Sequence, residues 1–443
     1  MVASFDGVVQ DASAWAHTVE VIHPFLSAIN GWIEPSSSCP SGVCTTAIGS
    51  YAHFGDSYGA GMGTGTTSTD KCRVGSNNFG RLLHTWMIGT DPSITYVEKV
   101  CSGDTLTGVA QQIAAWDTAS AASIATLSVG GNDVFFSDLV WNCVITPNTA
   151  RLGSTNRANC VATEDKAMEY MNDNTDSGLQ YKLKEAYISI LEKSGQSSFH
   201  LYVTSYVAFF NADTTDCDKT TFHYFWAAYD PSSDPILNRI VYLTTDLRAE
   251  LNNLVITLNS VIQAAVNDAN TEYGTSQVHF VDVNAYYDIG QHRWCENPNA
   301  EFHEPDPDRV DTYFFLSAWK DTSISGALDE TAAVEAAEVS AIITAGQIPL
   351  PDYTTCNQTL GTDPDPYAYS MCQVSITIAE DPTGPEAVRY QAAEQDIANG
   401  NYSSQDIPWY TPTRQVKTFH PRSPGMVVYR DACLAAMRAV GQL

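Results

Sequence analysis

Four short stretches hold residue types that could divide one reaction between them. The first, YAHFGDSYGAG from Tyr51 to Gly61, puts Asp56 and Ser57 where a strand-like run meets a series of glycines. A serine hydroxyl is a weak nucleophile until a base takes its proton. At a strand-to-helix turn its own N–H points outward, where it can help hold an oxyanion. The second stretch, CSGDT, carries Gly103, whose amide can approach a ligand with no side chain in the way. The third, SVGGNDVFF, carries Asn132, whose carboxamide can donate to an oxygen that is gaining negative charge. The fourth, KTFHPRSPGM, carries His420, stiffened by Pro421 and suited to general-base work. Each has an ordinary reading alone: Ser57 as a helix cap, Gly103 and Asn132 as turn formers, His420 as a surface histidine. In this order along the chain they read together as a nucleophile, its oxyanion donors and its base.

Such residues need a frame that gathers them. Periodicity predicts strands over 47–54, 94–102, 123–131, 199–207 and 276–283. It predicts helices over 77–88, 105–116, 179–194, 236–269 and 424–440, with Leu243, Leu247, Leu251, Leu254 and Leu258 on one face of the longest. Strands alternating with helices pair in parallel and bury both sheet faces, giving an α/β sandwich of layers. Sites in such sheets lie beyond the carboxyl ends of the strands, and Ser57, Gly103 and Asn132 each follow a predicted strand closely. Residues 1–46 read as a polar N-terminal extension, 47–347 as the core, and 348–411 as an insertion rich in Pro, Asp, Tyr and Gly. Residues 412–443 complete the core and supply His420.

Composition narrows the possibilities further. The 443-residue chain is 44% hydrophobic and carries a formal charge of −29, so it has ample core material and a surface that repels phosphate backbones. Nucleic acid is therefore not an expected partner, and a monomer is the expected state. No run of 18 or more apolar residues is present, so no membrane span is expected, and residues 1–15 lack the basic flank and apolar stretch of a signal peptide. Eleven cysteines, none in C-x-x-C spacing, point to disulfides and an oxidising, secreted setting. Local pairing suggests Cys39–Cys44, Cys72–Cys101, Cys143–Cys160 across a polar loop, and Cys356–Cys372 stapling the insertion. Cys217–Cys295 then pairs over a long range and leaves Cys433 as a buried free thiol. Sequons at Asn357 and Asn401 agree with secretion. No His, Asp and Glu cluster has metal spacing, and the acidic run 301–311 reads as a solvated loop, so neither metal nor cofactor is expected.

The motif order GDS, Gly, G-x-N-D and a late FHP resembles the SGNH (GDSL-type) hydrolase superfamily. The segments CRVGSNNFGRLL…VEKVCSGDT, LTTDLRAELNNLVITLNSVI and VHFVDVNAYYDIGQHRWCE resemble one secreted esterase subgroup of it. The resemblance covers about 45–325 and 412–443. It implies a flavodoxin-like three-layer α/β sandwich with about five parallel strands, here with a disulfide-stapled insertion. It also implies roles: Ser57 attacks an ester carbonyl, His420 accepts its proton, and the Ser57 amide, Gly103 amide and Asn132 side chain hold the oxyanion. The superfamily usually has an Asp three residues before the histidine, where this chain has Lys417. The subgroup implies that the Lys417 main-chain carbonyl orients His420 instead. Asp406 folding back, or loss of activity, are the other two explanations. His292 either lines the cleft or packs beside Cys295, and His53 is expected to pack. The implied activity is hydrolysis of a small-molecule, lipid or polymer-borne carboxylic ester. Lipase or phospholipase action, and carbohydrate or wall binding on a retired hydrolase fold, stand as alternatives.

Overall fold

The computed structural model describes residues 48–68, 70–145, 156–220, 222, 241–296, 311–315, 321–325, 336–359, 366–402 and 406–443. Five strands form one parallel sheet: β1 (Ser50–Gly55), β2 (Thr95–Glu98), β3 (Ile124–Ser128), β4 (His200–Thr204) and β5 (Val278–Val281). Their spatial order is β2-β1-β3-β4-β5. This is the flavodoxin-like order, with its topological switch between β1 and β3. Tyr51 stands opposite Tyr96 on one side and Ile124 on the other. Every residue of β1 and β3 is buried, whereas the edge strand β2 is partly open. Strands covered on both faces read as near-continuous apolar runs, and these two do.

The helices follow from that order. Those named below are α1 (Ser57–Ala60), α2 (Phe79–Thr90), α3 (Leu106–Ala114), α4 (Asn156–Asn172), α5 (Leu179–Ser194) and α6 (Thr245–Tyr273), then α7 (Pro366–Glu380), α8 (Pro385–Asn399) and α9 (Ser423–Ala439). A right-handed crossover from β1 to β2 puts α2 on one face, and the reversed direction of the later crossovers puts α3, α5 and α6 on the other. The packing agrees: α5 lies on α6 and α3, while α9 lies on α2. Among the described residues no helix is long and apolar enough to cross a membrane.

Two regions differ from the sequence reading. Most of the polar loop expected between Cys143 and Cys160 lies outside the described residues, but Cys143 sits in a π-turn at Trp141–Ile145 and Cys160 in the first turns of α4, a helix not expected from the sequence. Helix α4 buries a thin seam, Cys160, Ala167 and Met171, too narrow to register as an amphipathic stripe. The insertion is mostly helical: Pro366 and Pro385 open α7 and α8, where a missing N–H costs nothing. Its Trp409 is buried, with the Arg389 guanidinium 4.1 Å over the ring, and Tyr410 donates to Glu386. The disulfides are Cys72–Cys101, Cys143–Cys160, Cys217–Cys295 and Cys356–Cys372, and Cys433 is free and buried. Cys39 and Cys44 lie outside the described residues, as does most of 301–311.

Candidate active site

Strand β1 ends on Gly55 at φ 152°, where a Cβ would meet the Ser128 carbonyl oxygen at 2.7 Å. Only glycine lets the chain turn there beside β3. Asp56 follows as the cap of α1. Its carboxylate accepts the Tyr58 N–H at 2.9 Å, the Gly59 N–H at 3.5 Å and the Ser128 hydroxyl at 3.1 Å. The Tyr206 hydroxyl donates to its other oxygen and accepts the Gly131 N–H at 3.0 Å. Asp56 thus fixes the turn rather than facing a substrate. Burial pushes its carboxyl up to about 6, against the pull of these donors. Ser57 is the first residue of α1, and its N–H has no acceptor among the described residues.

The loop 416–420 comes back over this turn from the far end of the chain. His420 Nε2 lies 2.7 Å from Ser57 Oγ, with the two residues 3% and 5% exposed. The ring sits tilted against Tyr58 and edge-on to Phe136. Burial lowers the imidazole pKa to about 4, opposed by the Thr418 and Lys417 carbonyls. Tyr58 donates from its hydroxyl to the Phe419 carbonyl at 2.7 Å and so ties the serine helix to the histidine loop.

The acceptor that faces Nδ1 is the Thr418 carbonyl at 3.1 Å, one residue later than expected from the sequence. The Lys417 carbonyl takes the His420 main-chain N–H at 2.9 Å and also acts on the ring, raising the imidazole pKa alongside Thr418. The shift has a local cause. Phe419 sits at φ 62°, a left-handed conformation that curls the chain so that the i−3 carbonyl closes a turn and the i−2 carbonyl meets the ring. Lys417 is itself buried, with its ammonium 4.6 Å over the Phe315 ring. Asp406 stands near Arg389 at 3.9 Å, and no carboxylate is among the groups that shift His420.

Gly103 has φ 87°, and its N–H also lacks an acceptor among the described residues. Asn132 uses one amide hydrogen on the Asp104 carbonyl at 2.9 Å, leaving the second one to donate. Two further residues hold these loops together. Gln112 pairs with both main-chain groups of Gly55, at 3.0 and 2.9 Å, and donates to Asp104 at 2.6 Å. Asp133 caps α3 through the Leu106 N–H at 3.2 Å. The sequence gives little sign of Tyr58, Gln112, Asp133 or Tyr206, because each acts through partners distant in the chain, or of Thr418, whose role depends on the turn at Phe419.

The other two histidines singled out in the sequence, His292 and His53, pack. His292 stacks on Tyr313 at 3.6 Å and meets the Asp311 carbonyl at 2.9 Å. His53 is buried between Thr126, at 2.7 Å, and the Gly59 carbonyl, at 2.9 Å. Cys143, Cys160 and Glu164 cluster tightly, but the two sulfurs are bonded to each other.

Comparison with known proteins finds the following similarities. A stretch of 175 residues is 28% identical to Lipase 1 of Streptomyces coelicolor, and the match spans 38% of this chain and 56% of that protein. The structure is similar to the crystal structure of phospholipase A1 from Streptomyces albidoflavus, at TM-score 0.43 and 22% identity, covering 68% of this chain and 99% of that one. It is also similar to an extracellular lipase from Streptomyces rimosus, at TM-score 0.41 and 19% identity, covering 64% and 96%. No protein-family model matches the chain.

Proposed function

We propose that the protein is a secreted serine ester hydrolase, with Ser57 as nucleophile and His420 as its base. The observation that carries this reading is the buried Oγ–Nε2 contact of 2.7 Å between residues 363 positions apart. In the proposed cycle Nε2 takes the hydroxyl proton as Oγ bonds to the ester carbonyl carbon. The carbonyl electron pair moves onto oxygen, where the Ser57 and Gly103 amides and the Asn132 carboxamide receive it. The imidazolium then gives its proton to the departing alcohol. A water, deprotonated by the same nitrogen, releases the acid from Ser57. The Thr418 carbonyl holds Nδ1–H and so fixes the tautomer, with less stabilisation of the cation than a carboxylate would give. The four described disulfides support secretion.

The decisive experiment is turnover of 4-nitrophenyl acetate and butyrate by the wild type and by Ser57→Ala. Hydrolysis by the wild type, lost in the variant, is expected. Equal rates in both proteins would move the protein to a binding role on a hydrolase fold. Lipase action on neutral lipid esters remains a second reading, favoured by the apolar wall beside His420 and by the named relative.

Two smaller effects follow from the same geometry. The base must be neutral to accept a proton, so kcat/KM is expected to fall as pH drops through about 4, where His420 protonates, and to be flat from there toward neutrality. A pH–rate profile with its acid limb near the free-histidine value of about 6.5 would contradict a buried base. Lys417→Ala is expected to keep most activity per folded molecule, since the acceptors belong to the main chain. It is expected to lower the thermal midpoint, because a buried stem and a cation–π contact are lost. A loss like that of His420→Ala in a folded variant would assign the side chain a direct role.

A further inference from the structure

The geometry points to a narrow acyl-chain pocket beside the Ser57–His420 pair, sized for a tail of about four to six carbons. The inference rests on the ester-hydrolase reading and names the substrate class for it. A cavity of about 40 Å³ with a wholly apolar wall lies beside the pair, sharing Phe136 and Phe419 with the surroundings of His420. A single water needs about 10–15 Å³ measured this way, so the cavity holds about three water-sized positions, the space of a short tail.

Its near end belongs to the site. Phe136 stands edge-on to His420 at 5.4 Å, Phe419 is the preceding residue, and Gly131 adjoins Asn132. Tyr206 also lines it, but its hydroxyl is taken up by Asp56 and the Gly131 amide, so it turns only ring carbon to the space. The wall also includes Ala167 and Met171 of α4 and Leu254 and Val255 of α6, none of which contacts the pair, so we place the end of the pocket there. Helix α4 is held there by the Cys143–Cys160 disulfide. A dry apolar slot whose wall includes Gly131, the neighbour of Asn132, cannot take the polar alcohol half of an ester without loss. It can take the hydrocarbon half, with a gain of about fourfold per methylene buried. The thin seam of α4 therefore has a use: its small residue, Ala167, sets the depth.

The test is the kcat/KM profile over 4-nitrophenyl esters from acetyl to palmitoyl for the wild type, Ala167→Leu and Met171→Ala. The wild type is expected to peak at about four to six carbons. Ala167→Leu is expected to move the peak toward acetyl and to lower the hexanoyl-to-acetyl ratio about tenfold or more. Met171→Ala, which removes bulk and keeps the test open should the larger side chain prevent folding, is expected to move the peak to longer chains. A wild-type peak at twelve or more carbons, or profiles that neither substitution moves, would overturn the pocket and leave the hydrolase reading standing. Absence of Ser57-dependent turnover on every ester would overturn the hydrolase reading and the pocket with it.

Discussion

Replacing His420 with alanine is expected to lower kcat by about five to six orders of magnitude, and adding Ser57→Ala to it is expected to cost nothing more. The reason is that the two side chains act as a unit. A neutral hydroxyl buried to 5% exposure has no solvent base at hand, and the one nitrogen within bonding reach is His420 Nε2. The other candidates near the turn are engaged. Asp56 spends its oxygens on Tyr58, Gly59, Ser128 and Tyr206. His53 has both ring nitrogens bonded elsewhere. Kinetics on freshly purified single and double variants check this. A fall of less than about a hundredfold in His420→Ala would mean that another group takes the proton.

The second large effect is expected at Asn132. Its free amide hydrogen is assigned to the developing oxyanion, and such a donor is worth about 2.7–4 kcal/mol of barrier. Asn132→Ala should therefore lower kcat by about 10²–10³, with KM little changed, because the bond strengthens only as charge develops. The same side chain anchors the Asp104 carbonyl and so steadies the Gly103 loop. Thermal unfolding of the variant separates the two roles. A kcat loss with an unchanged midpoint supports the donor role, and an unchanged kcat would remove Asn132 from the site.

How much of this could be read from the sequence depended on the range of the signals. Strands β1, β3 and β4 were legible because parallel strands covered on both faces are short apolar runs between turn residues, and the edge strands β2 and β5 because they alternate with helical segments in the same rhythm. Helix α5 was legible to its ends because its apolar face is wide and Gly195 closes it at φ 63°. Helix α4 was not, since three buried positions on one seam leave almost no periodic trace. The same contrast holds at the site. Ser57, Gly103, Asn132 and His420 stand in short motifs whose order can be read. The partner of Nδ1 could not be read to the residue, because it depends on the left-handed turn at Phe419, and a phenylalanine gives no hint of such a turn. Tyr206 and Gln112 were invisible for a related reason. Each bonds to groups more than fifty positions away, which only the folded sheet brings near.

Covalent trapping with a fluorophosphonate, located by peptide mass mapping, tests the central claim most directly, because the reagent needs an activated hydroxyl and leaves its mark on the residue that attacks. One adduct per chain on Ser57, formed in the wild type and absent in His420→Ala, is the expected result. A folded wild-type protein that takes no label, or takes it at another residue, would contradict the account.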